Sequence, residues 1–473
     1  MKLLLRLSLL SLLLAPVAGV AGQLQAGVAK VEITDRTVPV NDPLFAKTLV
    51  LRSDDTTVAI ITVDAVAIGE IGRIKNDFLV NVRAQLQKEL NIPPAHVLIN
   101  ASHCHGIVCA DVERRTVQVV KDACRNFVPV KVGAGRGHED RISENRRLKL
   151  KDGTETDVRH AYSTAPDEEI VGAGPIDPEI GLLRLDSLHG KPFAVVYNFA
   201  VHPIQGVPNR GNTADITGFA SKTIEDGLGA FAIFLQGCCG DINPVRYKDV
   251  HNSRDAEPLG KTLGLSALQA LKKIRTRENN DLRVINEVLA LPRATDFERR
   301  IAALQAEQTK LFQSLRGTSL NLKTFTELFP QYKEGKLDAE NRAKVESYIR
   351  NVHTMEKVTR LQVNLDLLKK HQARNTAAKS ATVDVEIMGV RIGDFVLLTF
   401  PGELTVEVGL NIKKRAPAPF TFVAGYTNGY IYYAPTAERR NNKGYAQEDC
   451  DCLLAPEWQE LFEDKVAAIL KKL

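Results

Sequence analysis

The sequence lacks the marks of several protein classes. None of its seven cysteines forms a CxxC pair, so a structural zinc cluster of the finger type is not expected. Beyond the N-terminal segment, no stretch stays apolar for the ~20 residues that a membrane-spanning helix needs. An excess of one charge is also missing. Lys and Arg number 62 against 57 Asp and Glu, a net charge of +5 that falls to +3 without Lys2 and Arg6 of the N-terminal segment. That balance points neither to nucleic acid nor to an acidic partner. Internal repeats and low-complexity linkers are absent too. Length alone suggests roughly two to four domains. A linker-free chain of 473 residues, 44% hydrophobic and 25% charged, reads instead as one elaborated domain with ample material for a core.

What is present begins with MKLLLRLSLLSLLLAPVAGVAG, residues 1–22. A short basic start, an apolar run from Leu7 to Leu14, and small residues with Ala18 and Ala21 as cleavage positions form the pattern of a secretory signal peptide. A retained membrane anchor is the alternative. The mature chain, 23–473, is then expected to be exported, periplasmic or extracellular, with no transmembrane segment. An exported chain can form disulfides. An odd count (Cys104, Cys109, Cys124, Cys238, Cys239, Cys450 and Cys452) leaves at least one thiol unpaired.

The pattern predicts strands at Val28–Thr34, Lys47–Arg52 and Thr57–Ile68, the last two joined by a turn at Ser53-Asp54-Asp55. Asp64 interrupts the third, an apolar strand, and must be paired, hydrogen-bonded or at a functional edge. Phe78, Val82, Leu86 and Leu90 have helical spacing within Ile74–Leu90. Next comes VLINASHCHG, Val97–Gly106, an apolar run ending in His103 and His105. The order strand, helix, strand suggests a βαβ unit. Ligand sites in α/β sheets lie beyond the carboxyl ends of strands, and alternation would set both imidazoles on one side. Two polar loop histidines are the plainer reading.

Gly133–Thr164 is polar and without periodicity, read as a long surface loop. Ile180–Asp186 and Phe193–His202 flank a hairpin at His189-Gly190-Lys191, and the second again ends in a histidine. Gly229–Gly240 reads as a third buried strand, followed by a helix over Pro258–Ile274. Residues from about 296 to 371 have helical periodicity and read as a helical insertion, a scaffold or lid. Strands resume at Ala381–Met388, Val390–Ile392 and Phe395–Phe400. FPGELTVEVG and GYTNGYIYYAPT come next, and an amphipathic helix, Trp458–Leu473, closes the chain. The fold class is therefore α/β: mixed β-sheets flanked by helices, with an inserted helical segment.

His103, His105 and His202 at strand ends, with Glu403 behind Pro401-Gly402, offer two histidines and a carboxylate with an open fourth position. That set suits a catalytic zinc site, since neutral imidazole and carboxylate oxygen match the borderline softness of Zn2+. Hydrogen-bonded strand-end histidines and a helix N-terminal glutamate are the alternatives.

These residues sit in motifs that resemble the neutral/alkaline, non-lysosomal ceramidases, a family of zinc-dependent amidases. The likeness runs in order along most of the mature chain. VAKVEIT and TTVAIITVDAVAIG resemble the family's N-terminal strands, and SHCHG its THTHSG-type motif. Asn145-Arg146 resembles its Asn-Arg loop, FAVHP its FATHG-type strand end, GDINPV its GDVSPN turn, and PGEL its PGE motif. Asn428, Tyr430, Tyr433 and Tyr445 match its NxYxxY…Y run.

The resemblance implies that His103, His202, Glu403 and Tyr433 bind zinc, with His105, Arg146 and Tyr445 lining the site around the scissile amide. Arg146 also stands in the run NRRLKLK, where a solvated basic loop is the alternative. Tyr430 is read as packing. Asp241 either supports a ligand histidine or caps the following turn. Where the family has a serine in GDVSPN this chain has Asn243, which can hydrogen-bond but not act as a nucleophile. Ile107-Val108-Cys109-Ala110 replaces the family's Gly-Pro-Gly-Gly, so the pocket wall differs. The chain stops soon after the tyrosine motif, before the C-terminal β-sandwich domain of full-length ceramidases. That bears on long-chain ceramide as substrate more than on hydrolysis. The expected activity is zinc-dependent hydrolysis of an N-acyl amide bond in a small-molecule or lipid substrate, with peripheral contact to membrane lipid and no nucleic acid. A zinc hydrolase of another acyl or ester bond, and a non-catalytic binding module on the same fold, are the competing readings.

Overall fold

The apolar runs of the first half assemble into one eight-stranded sheet. The computed structural model describes residues 22–473 apart from 158–164, 166, 208–210, 250, 316, 318–319 and 445. The expected leader, except Gly22, therefore lies outside the described residues. The strand order is Phe231–Gln236, Pro192–Phe199, Glu179–Ser187, Val128–His138, Gln25–Glu32, Phe45–Ser53, Thr56–Val63, Val97–Ala101. The outermost pair at each end is parallel, with Ala194 opposite Phe231 and Ala59 opposite Val97, and the pairs between are antiparallel. Parallel neighbours need a crossover. Helices Phe78–Leu90 and Asp215–Leu228 supply the two crossovers, so each end of the sheet is a βαβ unit.

A second, four-stranded sheet runs Leu282–Pro292, Thr382–Ile392, Phe395–Thr399, Phe420–Ala424. Its last pair is also parallel, joined through helix Val406–Arg415. Between its first two strands the chain leaves the sheet for helices Phe297–Ser314, Leu322–Lys333 and Ala339–Ala377, the inserted helical segment. The faces of the two sheets share a core containing Leu49, Leu51, Ile60, Leu183, Val196, Ile233, Met388, Phe395 and Phe422. Burying an aliphatic or aromatic side chain of this size is worth about 1.5–3 kcal/mol. Among the described residues no helix is long and apolar enough to cross a membrane. All seven cysteines are free thiols.

Two stretches differ from the sequence reading. Gly133–Thr164 is not one long loop. It contains part of strand Val128–His138 and the short strands Ser143–Asn145, Arg147–Leu150 and Glu155–Asp157. Glycine is a poor strand former, which hid the first of them. Here it is required: a Cβ on Gly133 would lie 2.5 Å from Arg275 O, and one on Gly135 would lie 2.6 Å from the Ile274 side chain. The two strands expected at Ala381–Met388 and Val390–Ile392 are one, Thr382–Ile392.

Candidate metal centre

The histidine strand ends at Ala101, and the chain then turns sharply. His103 has φ 68°, a left-handed backbone that costs a non-glycine residue about 1–3 kcal/mol and persists only where its surroundings fix it. Its N–H donates to Ala65 O at 3.0 Å, and its Nδ1 faces Val66 O at 2.6 Å. His202 lies three residues past strand Pro192–Phe199 and is held alike, with N–H and Nδ1 both on Ile242 O at 2.9 and 3.0 Å. A carbonyl facing Nδ1 fixes the proton there and leaves the Nε2 lone pair free to bind. Both Nε2 atoms turn to one carboxylate oxygen, Glu403 Oε2, at 3.7 Å from His103 and 3.4 Å from His202. The two ring centroids are 4.8 Å apart.

One side chain ties the two strand ends together. Gln236 closes its own strand, and its Nε2 donates to Ser102 O and Val201 O, both at 2.9 Å. Those carbonyls belong to the residues just before His103 and His202. Its backbone N–H donates to Asn100 Oδ1 at 2.9 Å, so opposite ends of the eight-stranded sheet meet here. Sequence reasoning passed over Gln236. The available signal was a carboxamide ending an apolar strand, as the histidines do.

Glu403 lies just past strand Phe395–Thr399 of the second sheet, in a short separate pairing. Its N–H donates to Tyr432 O at 2.9 Å, and Glu403–Leu404 pairs in parallel with Tyr433–Ala434, setting Tyr433 beside it. Gly240 packs against this segment so closely that a Cβ would lie 2.8 Å from Glu403 O. Asp241 touches neither histidine. Its carboxylate accepts from Val406 N–H and Asn145 Nδ2, both at 2.8 Å, which holds the start of the helix behind Glu403. Tyr426 donates to Glu403 Oε2 at 3.1 Å and Tyr430 to Oε1. Tyr430, read as packing, thus makes a polar contact with the central carboxylate. Tyr426 and Tyr432 share positive φ with His103, so backbone strain gathers around the site.

Burial sets the charge states. It pushes the His103 imidazole down to about 4, outweighing the attraction of Glu403, and depresses His202 in the same way. Burial works against the Glu403 carboxylate as well, but the two imidazoles and the Tyr430 hydroxyl outweigh it and hold the acid below its ordinary range. The result is two neutral imidazoles facing one carboxylate, with ligand atoms all within 4.8 Å of one another.

These three residues lie at the floor of a cavity of about 310 Å3. His105, Arg146, Asn243 and Tyr433 line the same cavity. His105 is exposed, its ring centroid 5.6 Å from that of His103. Arg146 is no solvated loop residue. It is buried, donates through Nη2 to Gly240 O at 2.6 Å and Tyr433 Oη at 3.1 Å, and through Nε to Glu448 Oε1 at 2.6 Å. Burial disfavours its charge, but Tyr433 and Glu448 more than compensate and keep it cationic. Asn243 Oδ1 is buried with no hydrogen-bond donor among the described residues. Tyr445 lies outside the described residues. Helix Ala339–Ala377 reaches the cavity with Lys370, so the inserted segment contributes to the wall.

Fold and site define an α/β protein whose strand ends converge on a buried His-His-Glu cluster that can hold a metal ion. That fold is the fold of neutral ceramidase. The crystal structure of neutral ceramidase from Pseudomonas aeruginosa superposes with a TM-score of 0.62 and 17% sequence identity, covering 96% of this chain and 75% of that one. A ceramidase complexed with C2 gives 0.61 and 16%, covering 96% and 76%. At these identities the likeness is one of fold. No protein-family model and no curated protein matches the sequence.

Proposed function

We propose that this chain is an exported, zinc-dependent hydrolase of N-acyl amide bonds, with ceramide-like lipid amides as the nearest known substrates and peripheral contact with membrane lipid as its route to them. The observation that carries the reading is the convergence of His103, His202 and Glu403. The donor set fits the ion: both Nδ1 atoms are occupied by carbonyls, both Nε2 atoms face inward, and the carboxylate is held ionised. Tyr433 completes the ligand set. Bound zinc lowers the pKa of water toward ~7 and polarises a carbonyl.

The remaining residues have separable tasks. Arg146, kept cationic and hydrogen-bonded to Tyr433, supplies positive charge near the amide oxygen as negative charge develops there. Tyr445 is assigned a donor role by resemblance alone. Asn243 offers an unpartnered buried Oδ1 to the substrate's amide N–H. His105, on the cavity wall, is assigned the protonation of the leaving amine.

Elemental analysis joined to a hydrolysis screen over N-acylsphingosines, simple N-acyl amides and esters tests this. The expected result is about one zinc per chain and amide hydrolysis that a chelator abolishes and zinc restores. Folded protein without tightly bound zinc would end the proposal. Ester hydrolysis alone would move it to the other acyl bond.

A further inference from the structure

Two cavities meet at one stretch of chain. The metal cavity and a neighbouring one of about 450 Å3 share Val66, Ile71 and His105 as lining residues, so these side chains stand between them. Val66 and Ile71 belong to the segment that leaves strand Thr56–Val63 for helix Phe78–Leu90. Ile68 and Ile74 root that segment in the core, whereas Gly72 and Arg73 between them are exposed. The result is a strap with two buried feet.

The strap is sharply bent. Gly69, Glu70 and Gly72 have φ of 115°, 64° and 75°, and a Cβ on Gly72 would lie 2.5 Å from the Val66 side chain. Glycine adopts such backbone freely, but a glutamate does so only where its surroundings hold it. Asn76 supplies part of the hold: its Oδ1 accepts from Glu70 N–H at 2.6 Å, and its Nδ2 donates to Glu70 Oε1 at 3.0 Å. The rest comes from the inserted helical segment. Arg374, on helix Ala339–Ala377, pairs with Glu70 Oε1 at 2.7 Å and donates to Tyr432 Oη at 3.0 Å, and that hydroxyl donates to Glu70 Oε2 at 3.4 Å.

On the other side of Ile71, Arg73 pairs with Asp35 at 3.1 Å. An ion pair therefore pins the strap on each side of the residue that parts the two cavities. Both pins are weak, because the Arg374 and Arg73 side chains are 37% and 50% exposed. Buried feet, glycine bends and weak pins let a short segment move as a unit without unfolding its surroundings.

Resting on the hydrolase reading above, we propose that Glu70 and Arg374 determine substrate choice by latching this strap to the inserted segment. With the latch closed, Ile71 and Val66 part the metal cavity from its neighbour, and a short acyl chain is accommodated beside the metal centre. A long chain runs on into the second cavity and has to displace Ile71, which strains the latch.

The test compares N-hexanoylethanolamine with N-palmitoylethanolamine on the zinc-loaded full chain, together with hydrogen exchange of the strap amides. In R374M the palmitoyl-to-hexanoyl ratio of kcat/KM should rise about two- to fivefold, the range that a part-exposed ion pair allows, and the strap amides should exchange faster by a similar factor. Arg374 also bonds Tyr432, but a loss common to both compounds cancels in the ratio. Ile71→Ala thins the partition, leaves both ion pairs in place, and should raise the same ratio. Faster exchange in R374M with the ratio unmoved overturns the proposal, as does a ratio unmoved in I71A. Turnover with neither change overturns this inference and leaves the hydrolase reading standing. If neither compound is turned over, the hydrolase reading falls, and the ratio of calorimetric affinities for the two compounds decides the strap in the same way.

Discussion

Replacing Gln236 by alanine removes a carboxamide that three backbone groups use. Ser102 O and Val201 O each lose a donor at 2.9 Å, while Gly237 N–H loses a second acceptor at 3.0 Å and keeps its bond to Phe199 O at 2.9 Å. Gln236 is fully buried, so water does not replace what is lost. Carbonyl oxygens keep a second lone pair, which puts each of the two losses near the low end for an unsatisfied buried group, about 1 kcal/mol and about 2 kcal/mol together. The consequence for the site should exceed that for the fold, because the freed carbonyls belong to the residues that aim His103 and His202. Loss of an outer hydrogen bond that orients a metal ligand commonly costs about 10–100-fold in metal affinity. Zinc affinity by chelator competition, and stability of the metal-free protein by denaturant unfolding, should therefore both fall in Q236A. A variant that loses stability with zinc affinity unchanged would refute the claim that this side chain sets the two ligands against each other.

Tyr430→Phe deletes a hydroxyl that donates to Glu403 Oε1 and leaves the ring in place. Zinc affinity should drop about tenfold with little change in the unfolding midpoint; an unchanged affinity would return Tyr430 to a packing role. Glu448 is buried between Arg146 Nε at 2.6 Å and Arg147 Nη1 at 3.1 Å. Glu448→Gln should cost about 3 kcal/mol, since it leaves buried guanidinium charge short of a partner. Burial raises the Glu448 carboxyl, but the two guanidinium groups outweigh it and bring it from 4.5 to about 2. A folded-state pKa below the unfolded one adds stability at higher pH that is lost as pH falls from 4.5 to about 2. Acid titration of stability should accordingly be shallower in E448Q than in the parent over that window, and equal slopes would contradict the assignment.

What the sequence made legible is local. Apolar strands that stop at a histidine drew attention to His103 and His202, the two imidazoles that the structure brings together with Glu403, because a strand buried on both faces reads as a nearly continuous apolar run. Leu, Lys and Glu periodicity with few glycines announced the inserted helices. What stayed hidden depends on distant partners. Strand Val128–His138 has the glycines of a loop because Arg275 and Ile274 press against it. Tyr430 resembles any core tyrosine until Glu403 is placed beside it, 27 residues away in sequence. Arg146 is expected at the site by resemblance, but its own neighbours also fit a basic surface run, because its partner, Glu448, lies 302 residues on. Gln236 acts by holding backbone atoms of two other strands, and a pattern of residue types along one strand does not record that.

The most direct test is anomalous scattering at the zinc edge from crystals grown with zinc. A single strong peak is expected about 2.0–2.2 Å from His103 Nε2, His202 Nε2 and a Glu403 carboxylate oxygen, lost in crystals of H103A. An ordered site without a peak, or a peak bound elsewhere on the chain, would contradict the zinc-site reading.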